Sequence, residues 1–315
     1  MIHSMVTAIP PLSDSEKLEV GAASPKENRD IQSSKLVVAS YNIRYAAGPF
    51  LISGGLLRKA GLRSSRGRSE AVAKRIHLAA EAFSSGALLP HVDVLALQEA
   101  DKKTARAGGH HIARALATEL NMNWAHVPAG IPRGIKPQPR QWWLDFEEPI
   151  ELHDRGDTGI ALLSHLPLAQ VTRIDLPWHE CPWRPRLAMA ATVVRGGRRI
   201  RIYNVHVDPH AAANGQLEQL QAIAEQAAAG RDPTIIVGDF NTLSKQKSLE
   251  TRRFLEARGY KTPFVTGTPT WRGAGIRLHA DWIFVRDLKI ARWGVARPLN
   301  VSDHWPIWAE VDLKG

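Results

Sequence analysis

The stretch Thr234-Ile235-Ile236-Val237-Gly238-Asp239-Phe240-Asn241 decides the fold class, because it has the pattern of a buried strand that ends in polar side chains. Gly238 permits a tight turn after the apolar run. The carboxylate of Asp239 and the amide of Asn241 then stand two residues apart, where they can point into one cleft or form a local Asx turn. The same arrangement recurs along the chain, so the sequence predicts strands whose ends present polar side chains to a shared rim.

Short apolar runs typical of strands alternate with helical patterns from residue 35 onward. Gly196 and Gly197 separate two of these runs and predict a tight hairpin. The expected strands lie at 36–41, 92–97, 160–164, 187–194, 199–207, 234–237, 281–285 and 306–311, and the expected helices at 69–83 with Ser69 as cap, at Ile112–Leu120 and at 216–229. This order predicts one α+β domain over residues 35–315, with two mainly antiparallel sheets packed together and helices outside. Residues 1–34, which are rich in Pro and Ser, predict a flexible segment.

Composition and charge exclude several classes of protein. The single cysteine, Cys181, excludes an internal disulfide framework and favours a reducing, cytoplasmic setting. The sequence has neither the roughly 20 consecutive apolar residues of a transmembrane segment nor the pattern of a signal peptide. Lys and Arg exceed Asp and Glu by 41 to 31, and the net charge of +10 favours polyanionic partners such as nucleic acid, phosphorylated metabolites or anionic lipid headgroups. These features call for no obligate protein partner.

Polar residues at the strand ends form the candidate site. His206 lies in an alternating strand pattern that places it on one face with Asn204 and Asp208. The candidates are Asn42, Glu99, His206, Asp239, Asn241, Asp281, Asp303 and His304. Carboxylate and amide oxygens suit Mg²⁺, and imidazoles suit the oxygens of a phosphoryl group. This set therefore predicts metal-assisted phosphoryl hydrolysis.

Other functions fit these residues less well. A zinc hydrolase is disfavoured because His110 and His111 lie in a loop at a helix start and no His-x-x-x-His pair falls on a helix. The Gly-x-Ser-x-Gly turn of a serine hydrolase and the P-loop are both missing from the sequence. A protein that only binds nucleic acid would explain the positive charge but not the carboxylates at the strand ends.

Taken in order, these segments resemble the endonuclease/exonuclease/phosphatase superfamily, the deoxyribonuclease I-like metal-dependent phosphoesterases. The resemblance covers residues 36–313 and is nearest to bacterial metal-dependent hydrolases of undefined substrate. It implies a four-layer α/β/β/α sandwich with one metal-dependent site at its rim. The matching segments are Tyr41-Asn42-Ile43, Leu97-Gln98-Glu99, Ala161-Leu162-Leu163-Ser164, Asn204-Val205-His206, Gly238-Asp239-Phe240-Asn241, Asp281-Trp282-Ile283-Phe284 and Ser302-Asp303-His304-Trp305-Pro306.

The resemblance implies roles for the candidates around the metal and the attacking water. Glu99 would be the principal metal ligand, with Asn42 and Asp303 helping to hold Mg²⁺, or Mn²⁺ as a substitute. Asp239 would orient or deprotonate the water, and Asn241 would hold the phosphate.

The remaining candidates would act on the phosphoryl group. By the same resemblance, His206 and His304 would bind and stabilise its oxygens, and Asp281 would fix the orientation of His304 through a hydrogen bond. An active enzyme is favoured over a non-catalytic binding scaffold, because a scaffold would be expected to have lost one of the key acids or His304, and all are present.

The sequence departs from the pattern of the superfamily at two places. In the superfamily an asparagine often follows the glycine that corresponds to Gly159, and the segment Asp157-Thr158-Gly159-Ile160 lacks it. This departure concerns the expected contacts with substrate rather than the metal site. There is also no clear counterpart of the Tyr-Gly-Arg-type stretch of the abasic-site endonucleases, so a dedicated role in abasic-site repair is disfavoured.

Three classes of substrate fit the sequence: nucleic acid phosphodiesters, phospholipid headgroups as in a sphingomyelinase-like enzyme, and small phosphomonoesters. The Arg-rich segment 58–75 suits a nucleic acid backbone or an ordinary basic surface loop. The Trp-rich insertion 128–153 suits stacking on bases, a lipid interface or packing onto the sandwich. Arg186, with Arg184 close by, is the candidate substrate-binding residue. We expect phosphodiester hydrolysis by in-line attack of water, with a phosphomonoesterase or phospholipid hydrolase as the alternative.

Overall fold

The computed structural model describes residues 18–24, 33–49, 65–133, 148–150, 154–178, 183–273 and 275–314. Four α-helices lie in these residues: α1 (Ser65–Ser84), α2 (Ile112–Leu120), α3 (Ala213–Ala228) and α4 (Lys245–Glu256). The strands are β1 (Glu19–Gly21), β2 (Lys35–Asn42), β3 (Val94–Gln98), β4 (Asn123–Pro128), β5 (Gly159–Ser164), β6 (Ala169–Asp175), β7 (Leu187–Arg195), β8 (Arg198–His206), β9 (Thr234–Asp239), β10 (Trp271–Gly273), β11 (Ile276–Leu278), β12 (Asp281–Arg286), β13 (Lys289–Val295) and β14 (Ile307–Asp312).

The strands form two large sheets and one small hairpin. The first sheet has the order β1-β4-β5-β3-β2-β14-β13, the second has the order β12-β9-β8-β7-β6, and β10 pairs with β11 alone. Each large sheet contains one parallel pair, β2 with β3 and β8 with β9, and its other pairs are antiparallel. In both cases a helix, α1 or α3, connects the two parallel strands, as such a crossover requires.

Alternation along the strands builds four layers. In β2, Leu36 and Val38 face the core between the two sheets, whereas Val37, Ala39 and Tyr41 face the cluster formed with α1 and α2. On the far side, apolar residues of α3 and α4 join the core of the second sheet. The predicted α/β/β/α sandwich of two mainly antiparallel sheets is therefore confirmed.

The parallel pairs also decide where the polar strand ends meet. In β2 and β3 the last paired residues are Asn42 and Gln98, and in β8 and β9 they are His206 and Asp239. The antiparallel partner β12 begins at Asp281, directly opposite Asp239. The fold thus brings these residues to one rim of the sandwich, as the sequence predicts.

Part of the segment expected to be flexible is ordered into the first sheet. Glu19–Gly21 forms the short edge strand β1 beside β4. The carboxylate of Glu19 holds this strand through an ion pair with Lys102 and a contact of 3.0 Å between its Oε2 atom and Nε2 of His111. Side chains distant in sequence hold β1 in place, which the composition of residues 1–34 does not reveal.

Several elements differ from the sequence prediction. Ser69 does not cap the first helix, which begins at Ser65; its Oγ atom instead lies 2.9 Å from Nε2 of His110. Helix α3 begins at Ala213 rather than at residue 216. The prediction also missed β1, β4, β6, β10, β11, β13 and α4, most of which are short, polar or at an edge.

Two predicted segments lie partly outside the described residues. Residues 58–64 of the Arg-rich segment 58–75 are outside, whereas residues 65–75 belong to α1 and so are not loop. Most of the Trp-rich insertion, residues 134–147 and 151–153, also lies outside. Among the helices that are described, none has the length and apolar character needed to cross a membrane.

Two glycines with different surroundings provide a test of the packing at the site. Gly238 has a φ of +151°, and a Cβ atom there would lie 2.1 Å from the carbonyl oxygen of Val205. Gly197, in the confirmed β7–β8 hairpin, also has a positive φ of +73° but no atom within 4 Å of such a Cβ.

We therefore expect Gly238→Ala to lower the free energy of unfolding by more than about 3 kcal/mol. The new Cβ atom would clash with the backbone of Val205, and alanine would also have to adopt an unfavourable positive φ. Gly197→Ala, the control, should cost about 1 kcal/mol. Urea unfolding of both variants measures the difference. Equal losses would contradict the close approach of β8 and β9.

Candidate active site

The carboxylate of Asp239 lies at the centre of the rim and is 1% exposed. Its Oδ2 atom accepts a hydrogen bond from the side-chain amide of Asn42 at 2.9 Å, and its Oδ1 atom accepts one from the backbone amide of Asn241 at 2.9 Å. Burial raises the pKa of Asp239 to about 6, with the nearby charge of Asp281 adding to the effect and that of His304 opposing it. The carboxylate is therefore mostly ionised at neutral pH and able to accept a proton.

A buried imidazole stands beside this carboxylate. Nε2 of His304 lies 3.8 Å from Oδ2 of Asp239, and its Nδ1 lies 2.9 Å from Oδ2 of Asp281. Burial lowers the pKa of His304, but the charges of Asp281 and Asp239 outweigh it and bring the pKa to about 10. Asp281 thus makes the hydrogen bond expected from the sequence, and His304 carries a positive charge at neutral pH.

Glu99 occupies a strained position just after β3. Its φ of +51° lies in the left-handed region, which only a few per cent of residues other than glycine adopt. The Oε1 atom lies 3.4 Å from Nδ2 of Asn42 and 3.2 Å from a guanidinium nitrogen of Arg184. Asn42 therefore donates to two carboxylates, Glu99 and Asp239, and links the ends of the two sheets.

His206 lies between the same two carboxylates. Its Nε2 atom is 3.8 Å from Oε1 of Glu99 and 3.7 Å from Oδ2 of Asp239. The guanidinium of Arg186 donates to this imidazole, and its Nη1 atom lies 2.9 Å from Nε2 of His206. Burial, together with the positive charges of Arg186 and Arg184, holds the pKa of His206 well below its usual range. The imidazole is therefore neutral at neutral pH, in contrast to that of His304.

Asp303 is held by residues that the sequence analysis did not assign to the site. Its Oδ2 atom accepts a hydrogen bond from the indole of Trp271 at 3.1 Å and lies 3.3 Å from a guanidinium nitrogen of Arg44, while Ser302 donates to its Oδ1 atom at 3.1 Å. Arg44 comes two residues after Asn42, at the end of β2. This position next to a strand end is the sequence feature that could have identified Arg44 as a residue of the site. Trp271 is buried, so its indole packs against Asp303 rather than standing free to stack on a ligand.

The amide groups of the site are engaged by the protein itself. Nδ2 of Asn241 donates to the carbonyl of Val207 at 2.8 Å, which fixes the turn after β9. Oδ1 of Asn42 accepts from the backbone amide of Arg44 at 3.0 Å. Through these contacts the two amides orient the turn after β9 and the carboxylates beside it.

The donor set fits a hard divalent cation. Two carboxylates, Glu99 and Asp239, each contact both the amide of Asn42 and the imidazole of His206, so their oxygens are directed toward the same region. Asp281 adds a third carboxylate close to Asp239, and its Oδ1 atom is buried without a hydrogen-bond partner. His304 lies in the same cluster, but its protonated imidazole offers no lone pair to a metal. Carboxylate oxygens are the ligands that Mg²⁺ and Mn²⁺ prefer.

The family model of the endonuclease/exonuclease/phosphatase family matches residues 39–304, a range that includes every residue of this site. The chain belongs to this family. Its members are hydrolytic phosphoesterases that depend on divalent metals. The match runs from within β2 to the Asp303–His304 loop, so it covers the whole second sheet and all strands of the first sheet except β1 and β14.

Curated proteins are similar to this chain in sequence, and solved structures are similar to it in fold. UPF0294 protein YE0917 of Yersinia enterocolitica is 31% identical over 162 residues, which are 48% of this chain and 61% of that protein. The chain therefore matches less than two thirds of the length of this curated relative. The crystal structure of an endonuclease/exonuclease/phosphatase from Beutenbergia cavernae superposes with a TM-score of 0.61 at 16% identity, covering 89% of this chain and 72% of that one. A structure of ANGEL2, a 2′,3′-cyclic phosphatase, in complex with adenosine-2′,3′-vanadate gives a TM-score of 0.53 at 16% identity, covering 88% and 95%.

The charge on His304 can be tested without an activity assay. We expect Asp281→Asn to lower the pKa of His304 from about 10 toward the usual range of histidine, because the substitution removes the strongest of the charges that raise it. Nitrogen NMR chemical shifts of the imidazoles, followed against pH, measure the change. Exposed His77, whose pKa Glu119 raises, should titrate as before and serves as the control. An unchanged His304 pKa would contradict the Asp281–His304 contact.

Proposed function

We propose that the protein is a Mg²⁺-dependent phosphodiesterase that hydrolyses its substrate by in-line attack of water. The observation that carries the proposal is the buried row Asp239–His304–Asp281, in which a carboxylate with a pKa of about 6 lies 3.8 Å from a protonated imidazole. A base and a hydrogen-bond donor of this kind are what phosphoryl transfer to water requires.

Asp239 would act on the water and His304 on the phosphoryl group. As the oxygen of the water bonds to phosphorus and the bond to the leaving oxygen breaks, Asp239 accepts the proton of the water. The N–H group of His304 would donate to a phosphoryl oxygen, and its positive charge would offset the negative charge that develops there. Asp281 keeps the imidazole oriented and protonated, so we assign it a positioning role.

Glu99 would be the main ligand of the divalent ion, with Asn42 and Asp303 in support. When bound, the ion would offset charge on the phosphoryl and leaving oxygens. The contacts of Asn42 favour an orienting role, since its amide donates to Glu99 and Asp239. His206 and Arg186 would hold further phosphoryl oxygens, and Asn241 would keep the Asp239 turn in place.

Hydrolysis of a phosphomonoester is the second candidate. The observation that favours it is the number of cationic side chains at the rim, because Arg44, Arg184 and Arg186 all contact residues of the site. A terminal phosphate carries more charge than a diester and would gain more from these groups.

Hydrolysis of bis-p-nitrophenyl phosphate and of p-nitrophenyl phosphate, each with Mg²⁺, Mn²⁺ or EDTA, separates the two candidates. Metal-dependent cleavage that favours the diester supports the phosphodiesterase. A preference for the monoester would overturn it in favour of the phosphatase. Activity that persists in EDTA would contradict the role of the metal.

We expect Asp239→Ala and His304→Ala to lower turnover of the preferred substrate by about a hundredfold or more, because each removes one preorganised group that acts in the transition state. Circular dichroism checks that both variants fold. His77→Ala, which removes an imidazole from an exposed position, is the matched control and should keep full activity. Near-normal rates in a folded Asp239 or His304 variant would contradict these roles.

Substitution of Glu99 tests the metal site separately. We expect Glu99→Ala to raise the Mg²⁺ concentration needed for half-maximal activity by about tenfold or more, since the variant lacks the principal oxygen ligand. A Mg²⁺ titration of initial rates measures this, and Glu225→Ala, which removes an exposed helical carboxylate, is the control. An unchanged Mg²⁺ requirement would mean that another residue is the main ligand.

A further inference from the structure

A second cationic cavity lies outside the catalytic residues. It has a volume of about 680 Å³, is open to solvent and is bounded by the β10–β11 hairpin, helix α1 and the loop before Asp303. The lining residues that the structure describes include three arginines, Arg75, Arg272 and Arg277, together with Asn300, and no acidic residue. A concave surface with this composition is suited to an anion.

The walls of this cavity are shared with the catalytic loops. The backbone amide of Arg272 donates to the carbonyl of Asp303 at 2.9 Å, and the preceding Trp271 pairs with His304 in an isolated β-bridge. On the opposite side, the guanidinium of Arg75 donates to the carbonyl of Ala46 at 3.1 Å, in the turn that carries Arg44 to Asp303. The cavity is therefore separated from the catalytic loop by a single layer of residues.

The hairpin places two like charges opposite each other. Arg272 and Arg277 are Cα partners in the register of β10 and β11, an arrangement that destabilises an antiparallel pair. Arg297 adds a third guanidinium nearby: burial and the charge of Arg277 lower its pKa. Arg272 and Arg297 also lie over the ring of Trp305, with guanidinium carbons 5.2 Å and 4.4 Å from the ring centroid. An anion between the arginines would relieve this repulsion.

We propose that Arg75, Arg272 and Arg277 form a second phosphate-binding site, which holds a backbone phosphate of an oligonucleotide next to the phosphate that is hydrolysed. Guanidinium groups match phosphate oxygens geometrically, and the cavity is large enough for a nucleotide unit. The role of this site in catalysis rests on the phosphodiester hydrolysis proposed above, whereas binding itself does not depend on it.

The composition of the cavity favours an oligonucleotide over a membrane surface. A lipid-binding surface would present large apolar side chains to insert below the headgroups, together with the basic residues. In the described part of the chain, Pro49 and Ile276 are the larger apolar groups in the lining, and only Ile276, at 54%, is exposed, which is a small apolar surface beside three arginines. The net charge of +10 adds a general attraction for a nucleic acid backbone.

Substitution of Arg277 tests the site, because this residue is exposed and contacts no catalytic residue through the interactions described above. Anisotropy of a fluorescein-labelled oligothymidine of 12 nucleotides, titrated with the full chain in EDTA at several salt concentrations, measures binding. We expect Arg277→Gln to weaken binding about tenfold and to reduce the slope of log affinity against log salt by about 0.7 to 1. Arg277→Lys should recover part of the loss.

Arg231→Gln is the matched control, since Arg231 is exposed just before β9, at the end of that strand opposite Asp239. Hydrolysis of bis-p-nitrophenyl phosphate, which carries one phosphate, should be the same in wild type and Arg277→Gln. Equal losses of binding in the Arg231 and Arg277 variants would overturn the proposal, as would tighter, Arg277-dependent binding to phosphatidylserine vesicles than to the oligonucleotide. If the wild type cleaves no diester but the Arg277 effect on binding persists, the second site stands and the proposed function fails.

Discussion

The burial of the Asp239 carboxylate is the constraint on which the rest of the site depends. A carboxylate in the interior loses its hydration, which costs several kcal/mol unless nearby groups compensate. Here the compensation comes from both sheets: the amide of Asn42 at the end of β2, the backbone amide of Asn241 after β9, and the charged imidazole of His304. Because the pKa nevertheless rises to about 6, the compensation is incomplete, and the carboxylate retains the basicity that a proton acceptor needs.

The topology explains why residues from distant parts of the chain meet at this carboxylate. A parallel pair brings two strand ends to the same edge, and each large sheet has one such pair, so four strand ends reach the rim. The left-handed conformations of Glu99 and Asn241 then turn the chain away immediately after β3 and β9. Backbone strain of this kind persists only where the surroundings fix it, and here the surroundings are the hydrogen bonds of the site itself.

Strand ends could be predicted from the sequence, whereas their partners could not. The apolar residues before Gly238 identify a buried strand and thereby place Asp239 at its end. The order of several such strands along the chain is specific to a fold. The contacts of Asp303 with Arg44 and Trp271 depend instead on a loop and a hairpin whose path no local pattern specifies. The sequence does not reveal helix α4 because polar residues dominate it, nor β13 because four of its seven residues are exposed and none is fully buried.

The energetics of the site also bear on the choice between an enzyme and a binding scaffold. The pKa of Asp239 in the fold is higher than the usual value of 3.8, so the folded state loses stability as the pH rises through about 6 and the group ionises. An asparagine at this position would avoid that cost and could still accept a hydrogen bond from Asn42. A scaffold gains nothing from the ionised carboxylate, whereas a hydrolase needs it to take the proton of the water. A buried, destabilising acid beside a protonated His304 therefore supports the proposed hydrolase over a binding scaffold.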